Sequence, residues 1–172
     1  MRRAVLAACA LLLPAAAAAQ DAQPPIEEIA ADLAYGYCPL YLAEQFPLAD
    51  NPKLTGFGFG AVTTQQDPRY GAVTTVSAKS ADGDLVFGGA PGKTCTIAAT
   101  GRKRDAVIAK LRQSMSYMGL DFKPVPNVTA GVPGFTVETF KAPVEAQFLF
   151  VQLIQGTTPV PTVSAQLFVT DK

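Results

Sequence analysis

The chain has 172 residues and a formal net charge of zero, with 14 Lys and Arg residues against 14 Asp and Glu residues. A composition of 49% hydrophobic and 16% charged residues suits one globular domain and argues against disorder. The absence of His removes the commonest general base and metal ligand, and the neutral total argues against the basic surface that nucleic-acid binding needs.

Residues 1–19 have the pattern of a Sec-type signal peptide. A short positive region precedes an apolar run from Ala4 to Leu13, and the small side chains of Ala17 and Ala19 suit a signal peptidase. The run is shorter than the roughly 20 residues that a membrane-spanning helix needs. We therefore predict cleavage after Ala19 and a bacterial protein that is periplasmic or secreted.

Three cysteines are present, and two are expected to remain after cleavage. Leu6 to Cys9 is similar to the lipobox of a lipoprotein, but the apolar run continues past Cys9, so we expect this cysteine to be removed with the signal; its acylation is the alternative. Cys38 and Cys95 are then an even pair in an oxidising compartment, which favours a structural disulfide. A redox pair is the alternative, although such pairs usually form a C-x-x-C motif.

A polar lead-in, residues 20–25, precedes a single predicted domain over residues 26–172. Apolar residues recur at helical spacing from Ile26 to Tyr37. Gly36 and Pro39 then predict a break, followed by a second helical piece that ends at Phe46.

Strand signals follow in the first half of the domain. Phe and Gly alternate within residues 55–64, which predicts a strand with a closely packed glycine face, and a flexible ligand loop is the alternative. Val- and Thr-rich residues 70–79 predict a further strand, and Asp82-Gly83 predicts a hairpin to residues 85–88. Residues 94–99 place Cys95 on one face of another strand.

The second half repeats the order of helix, then strands. Residues 102–118 form the clearest helix, with Gly119 as its C-cap. The predicted fold class is α+β, an antiparallel β-sheet with two main helices packed on it in the order α-βββ-α-ββββ and one disulfide. No residue pattern matches between the halves. The later strands are predicted at residues 121–128, 135–141, 146–155 and 162–170.

Gly88 to Thr94 resembles a phosphate-binding P-loop, G-x-x-x-x-G-K-[ST]. The spacing is one residue short, and Phe87 occupies the position of the first Gly. The residues that follow favour a strand, whereas a P-loop needs a helix N-terminus there. We therefore interpret this stretch as a turn between two strands.

Two groups of side chains are candidates for a binding surface. The tyrosines crowd the break in the first helix beside Cys38 and combine apolar area with a polar tip; packing around the disulfide is the alternative. The basic residues of the second helix favour binding of an envelope protein or of an anionic envelope component, and a solvated helix face is the alternative. The candidates are Tyr35, Tyr37, Tyr41, Arg102, Lys103, Arg104, Lys110 and Arg112.

Catalytic motifs are scarce in this sequence. A Ser-His-Asp or Cys-His arrangement cannot form without His, and two distant cysteines do not make a zinc site. We therefore predict no catalytic residue, metal site or cofactor, and a small exported binding or accessory protein of unknown ligand. A His-free, carboxylate-based hydrolase is one alternative, and an inhibitor or immunity-type partner of another envelope protein is a second.

Overall fold

A computed structural model of the protein describes residues 23–126, 133–157 and 159–171. The predicted signal peptide, Cys9, the first three residues of the polar lead-in and the last two of the predicted strand 121–128 lie outside these ranges. Across the described ranges, no helix has both the length and the apolar character to cross a membrane.

In the described part of the chain, eight strands form one antiparallel sheet in the order β1-β2-β3-β4-β8-β7-β6-β5. The helices pack on one face of this sheet. The predicted α+β fold class, with two main helices and one disulfide, is confirmed. The helical elements are α1 (Ile26–Asp32), a π-helical turn (Leu33–Tyr37), α2 (Cys38–Leu42), α3 (Pro52–Gly56), α4 (Arg104–Ser114) and a 3-10 turn (Met115–Met118). The strands are β1 (Thr63–Asp67), β2 (Gly71–Lys79), β3 (Asp84–Gly89), β4 (Thr94–Thr100), β5 (Lys123–Val125), β6 (Phe135–Val144), β7 (Gln147–Gly156) and β8 (Thr162–Asp171).

The order of strands is symmetric about its centre. Each half begins with helix and continues through strands that pair in sequence, and the last strands of the two halves, β4 and β8, pair with each other. The two halves therefore share one topology, although their sequences show no matching pattern.

The core lies between the helices and the inward face of the sheet. Val163, Ala165 and Leu167 alternate with polar residues along β8, and all three are buried. On β7, Leu149 and Leu153 are also buried. In the sheet, β7 lies between β6 and β8.

The predicted break in the first helix takes the form of a π-helical turn between α1 and α2. Pro39 lies in the first turn of α2, where its missing N–H group leaves no hydrogen bond unmade. The turn brings Cys38 against Cys95 of the central strand β4, and the predicted disulfide joins them. Both cysteines are fully buried.

The strand predicted over residues 55–64 is wrong for most of its length. Asn51 caps α3 by accepting a hydrogen bond from the backbone N–H of Lys53, and a proline follows at the first helical position. These start signals outweigh the Phe and Gly alternation. Phe57 and Phe59 still reach the core, but from the turn after α3.

Candidate functional site

Two of the candidate tyrosines belong to the interior. The Tyr35 hydroxyl donates to the backbone oxygen of Leu111 at 2.7 Å, and the Tyr41 hydroxyl donates to that of Gly89 at 2.8 Å. Burial raises the pKa of Tyr35 far above its usual value, and burial likewise raises the pKa of Tyr41 to about 12. Since both rings are buried, they tie the helical layer to α4 and to the sheet and are not part of an exposed surface.

Tyr37 is the partly exposed member of the three. Its ring packs against Phe46 with centroids 4.7 Å apart, and the Lys53 ammonium lies 5.7 Å from its centroid. Packing therefore accounts for this side chain too, and a binding role for Tyr37 stays a prediction.

The basic residues at the start of α4 and before it face carboxylates of the same chain. Arg102 donates to Asp82 at 2.6 Å, Arg104 lies 3.3 Å from Asp105, and Lys103 lies 3.9 Å from a carboxylate of α1, that of Glu27. Positive charge at a helix start points to an anionic neighbour. Here the nearest anions are intramolecular.

The two later cations of α4 are paired in the same way. Lys110 Nζ lies 2.7 Å from a Glu28 carboxylate oxygen, and this hydrogen bond raises the pKa of Lys110. Arg112 donates through two nitrogens to the carboxylate of Glu138 on β6, and these hydrogen bonds raise the pKa of Arg112 and lower that of Glu138. Recognition of an anionic partner by this helix stays a prediction.

Two of the three glycines in the P-loop-like stretch are explained by the packing of strands. β3 ends at Gly89 and β4 begins at Thr94, so the stretch forms a turn between strands as predicted. Gly88 has φ 138°, and a Cβ atom there would overlap the backbone oxygen of Thr74 on β2. Gly89, with φ 154°, has the same relation to Thr94. Gly88 and Gly89 thus allow close backbone contacts within the sheet.

Opposite the helices, the sheet has a second face, here called the open face, on which most side chains of β4, β8 and β7 are half-buried, whereas most of those facing the helices are buried. On this open face, Thr96, Gln166 and Gln152 are cross-strand neighbours on β4, β8 and β7. In the adjacent row, Phe168 and Phe150 are neighbours, with parallel rings 5.1 Å apart. The open face therefore carries amides, hydroxyls and aromatic rings at its centre.

A depression of about 490 Å³ crosses the open face near the start of β4. At its rim, Lys93 Nζ donates to the backbone oxygen of Tyr70 at 3.1 Å, which links the β1–β2 and β3–β4 turns. Phe150 covers one side of the Phe168 ring, and Phe168 itself lines the depression. The lining residues include Tyr70, Lys93, Thr94, Gln152, Gln166, Phe168 and Thr170.

A second concave region, of about 410 Å³, lies along α1 beside α4. Its charged side chains pair with each other, Lys110 with Glu28 and Lys53 with Asp32 at 3.7 Å. The fully buried Ser114 hydroxyl has no hydrogen-bond partner among the described residues. Those residues also contain no group of three or more His, Cys, Asp and Glu side chains that could hold a metal ion.

The sequence contains signals for the open face, but they do not by themselves indicate a site. Gln166 is an outward position of the clean alternation on β8, and residues 148–154 are apolar on both faces of β7 except at Gln152. Sequence alone does not tell which face the helices cover, so the outward residues could not be joined into one surface.

Comparisons of the chain with protein-family models, with curated proteins and with solved structures find no match. The chemistry of the open face and of its depression is therefore the basis for inferring what the protein does.

Proposed function

We propose that the protein is an exported, non-enzymatic binding or accessory protein, and that the open face of its sheet is the binding surface. The observation that carries this proposal is the depression on that face. Its volume lies within the range of about 300–1,000 Å³ typical of ligand sites. Several polar side chains and the Phe168 ring line it, and polar groups in a ligand site fix the orientation of the ligand.

The chemical character of the lining favours binding over catalysis. Gln152 and Gln166 offer hydrogen bonds and Phe168 offers apolar contact. These groups orient a ligand, whereas general acid–base chemistry needs a group that titrates near the working pH. Binding is thus the activity that this lining supplies.

Two features support export. Residues 1–19 have the sequence pattern of a signal peptide, and the Cys38–Cys95 disulfide is compatible with an oxidising compartment. The proposed location is the periplasm or the exterior of a bacterial cell.

The candidate surfaces chosen from sequence support the proposal less well than the open face does. Tyr35 and Tyr41 are buried, and the cations of α4 already face carboxylates. By contrast, the side chains in the central row of the open face are uncharged. They are Thr96 on β4, Gln166 on β8 and Gln152 on β7.

Affinity capture from an envelope extract tests the proposal when three forms of the protein are compared. Gln166→Lys places a charge at the centre of the open face, and Gln113→Lys places the same charge on the exposed side of α4. We expect one envelope component to be retained by the wild type and by Gln113→Lys and to be lost with Gln166→Lys. Retention of nothing by the wild type, or equal retention by both variants, contradicts the proposal.

A further inference from the structure

The depression on the open face offers little compensation for a charged ligand. Among the described residues that line it there is no carboxylate, and its cation, Lys93, lies at the rim and donates to the backbone oxygen of Tyr70. A carboxylate or phosphate placed on the floor would lose hydration without gaining an ionic partner there. The lining therefore selects for an uncharged ligand.

A wholly apolar ligand is also a poor match. Each glutamine amide has two donor hydrogens and an acceptor oxygen, so Gln152 and Gln166 need polar partners when a ligand displaces water. Gln152 Nε2 donates to the hydroxyl of Thr139 at 3.4 Å, which leaves its carbonyl oxygen as an acceptor site. The ligand must therefore carry hydroxyl or amide groups.

Phe168 adds a third requirement, an apolar patch on the ligand. Its ring lines the depression in the row next to Gln166, and Phe150 supports it from the other side. An aromatic ring in this position contacts an apolar patch of the ligand. The ligand must thus combine an apolar patch with hydrogen-bonding groups while remaining uncharged.

A pyranose ring has these properties together, because its C–H groups form apolar faces and its hydroxyl groups project around the ring. We propose that the depression binds a short segment of a neutral oligosaccharide, with the ring of Phe168 against a sugar face and the amides of Gln152 and Gln166 on its hydroxyl or acetamido groups. This inference rests on the proposed function, since it names the ligand class of the same face.

The test is an NMR titration of the purified protein with two uncharged trisaccharides, N,N′,N″-triacetylchitotriose and maltotriose. Gln166→Leu removes the amide while keeping a side chain of similar size, and Gln113→Leu makes the same change on exposed α4. We expect saturable shifts of the Gln152 and Gln166 side-chain amides with at least one sugar. Gln166→Leu should weaken binding about tenfold, as expected for the loss of one or two hydrogen bonds. Gln113→Leu should leave the affinity unchanged.

Three results overturn the inference. Neither sugar shifts the amides of a protein whose spectrum shows it to be folded; or Gln166→Leu binds as tightly as the wild type; or the amides shift with protein concentration alone, which means that a second copy covers the face. If both sugars fail while envelope capture still depends on Gln166, the ligand class is wrong and the proposed function stands. If capture fails too, both are wrong.

Discussion

Replacing both Cys38 and Cys95 by alanine is expected to lower the free energy of unfolding by about 4 kcal/mol. The cysteines are 57 residues apart, so the disulfide closes a long loop and restricts the unfolded chain. In the chain-entropy relation, a loop of this length gives the figure of about 4 kcal/mol at 25 °C. Because a domain has only about 5–15 kcal/mol of stability in total, the loss removes a large fraction of it.

Urea denaturation of the oxidised wild type and of the double variant measures this difference. The reduced wild type is the control, because it retains both sulfur atoms, which are fully buried. We expect reduction to account for most of the loss, and the lost sulfur contacts in the alanine variant to add to it. A difference below about 1 kcal/mol between the oxidised and reduced wild type would refute the idea that the disulfide acts by constraining the unfolded chain.

Three further substitutions test individual contacts. Arg112→Met should lower the urea midpoint at about pH 7, and the effect should fade as the pH falls through the folded-state pKa of Glu138, which Arg112 holds below its usual value. A loss of equal size below about pH 3 would show that the ion pair is not its cause. Ser114→Ala should leave the free energy of unfolding unchanged or raise it by up to about 1 kcal/mol, because the buried hydroxyl lacks a partner among the described residues. The melting temperature measures this effect, and Ser116→Ala, at an exposed position, is the control. Gly88→Ala should cost about 2 kcal/mol or more, because its φ is positive and a Cβ would overlap β2; a melting temperature equal to that of the wild type would contradict this.

Much of the fold could be predicted because it depends on local pattern. The alternation of β8 and the three- and four-residue spacing in α4 follow from the geometry of strand and helix. Gly119 ends the second helix in the left-handed conformation, as a C-cap glycine does. The disulfide followed from an even number of cysteines after the predicted signal cleavage.

The candidate site could not be predicted in the same way, because it depends on tertiary placement. Lys110 and Arg112 look like free cations in the sequence, but their carboxylate partners come from α1 and from β6. Tyr35 is of a residue type that is common in interfaces, but its hydroxyl donates to the backbone oxygen of Leu111 on α4. In each case the partner is distant in the chain.

The open face of the sheet is the proposed binding surface, and site-specific photocrosslinking in cells tests this proposal most directly. Photoreactive p-benzoylphenylalanine is introduced in place of Phe168 on the open face or in place of Tyr117, which is 73% exposed on the helical side. Both changes exchange one aromatic ring for another, so they are matched in chemistry and differ in position. We expect a discrete covalent adduct from position 168 and none from position 117. Adducts from position 117 alone, or none from position 168, would contradict the proposal.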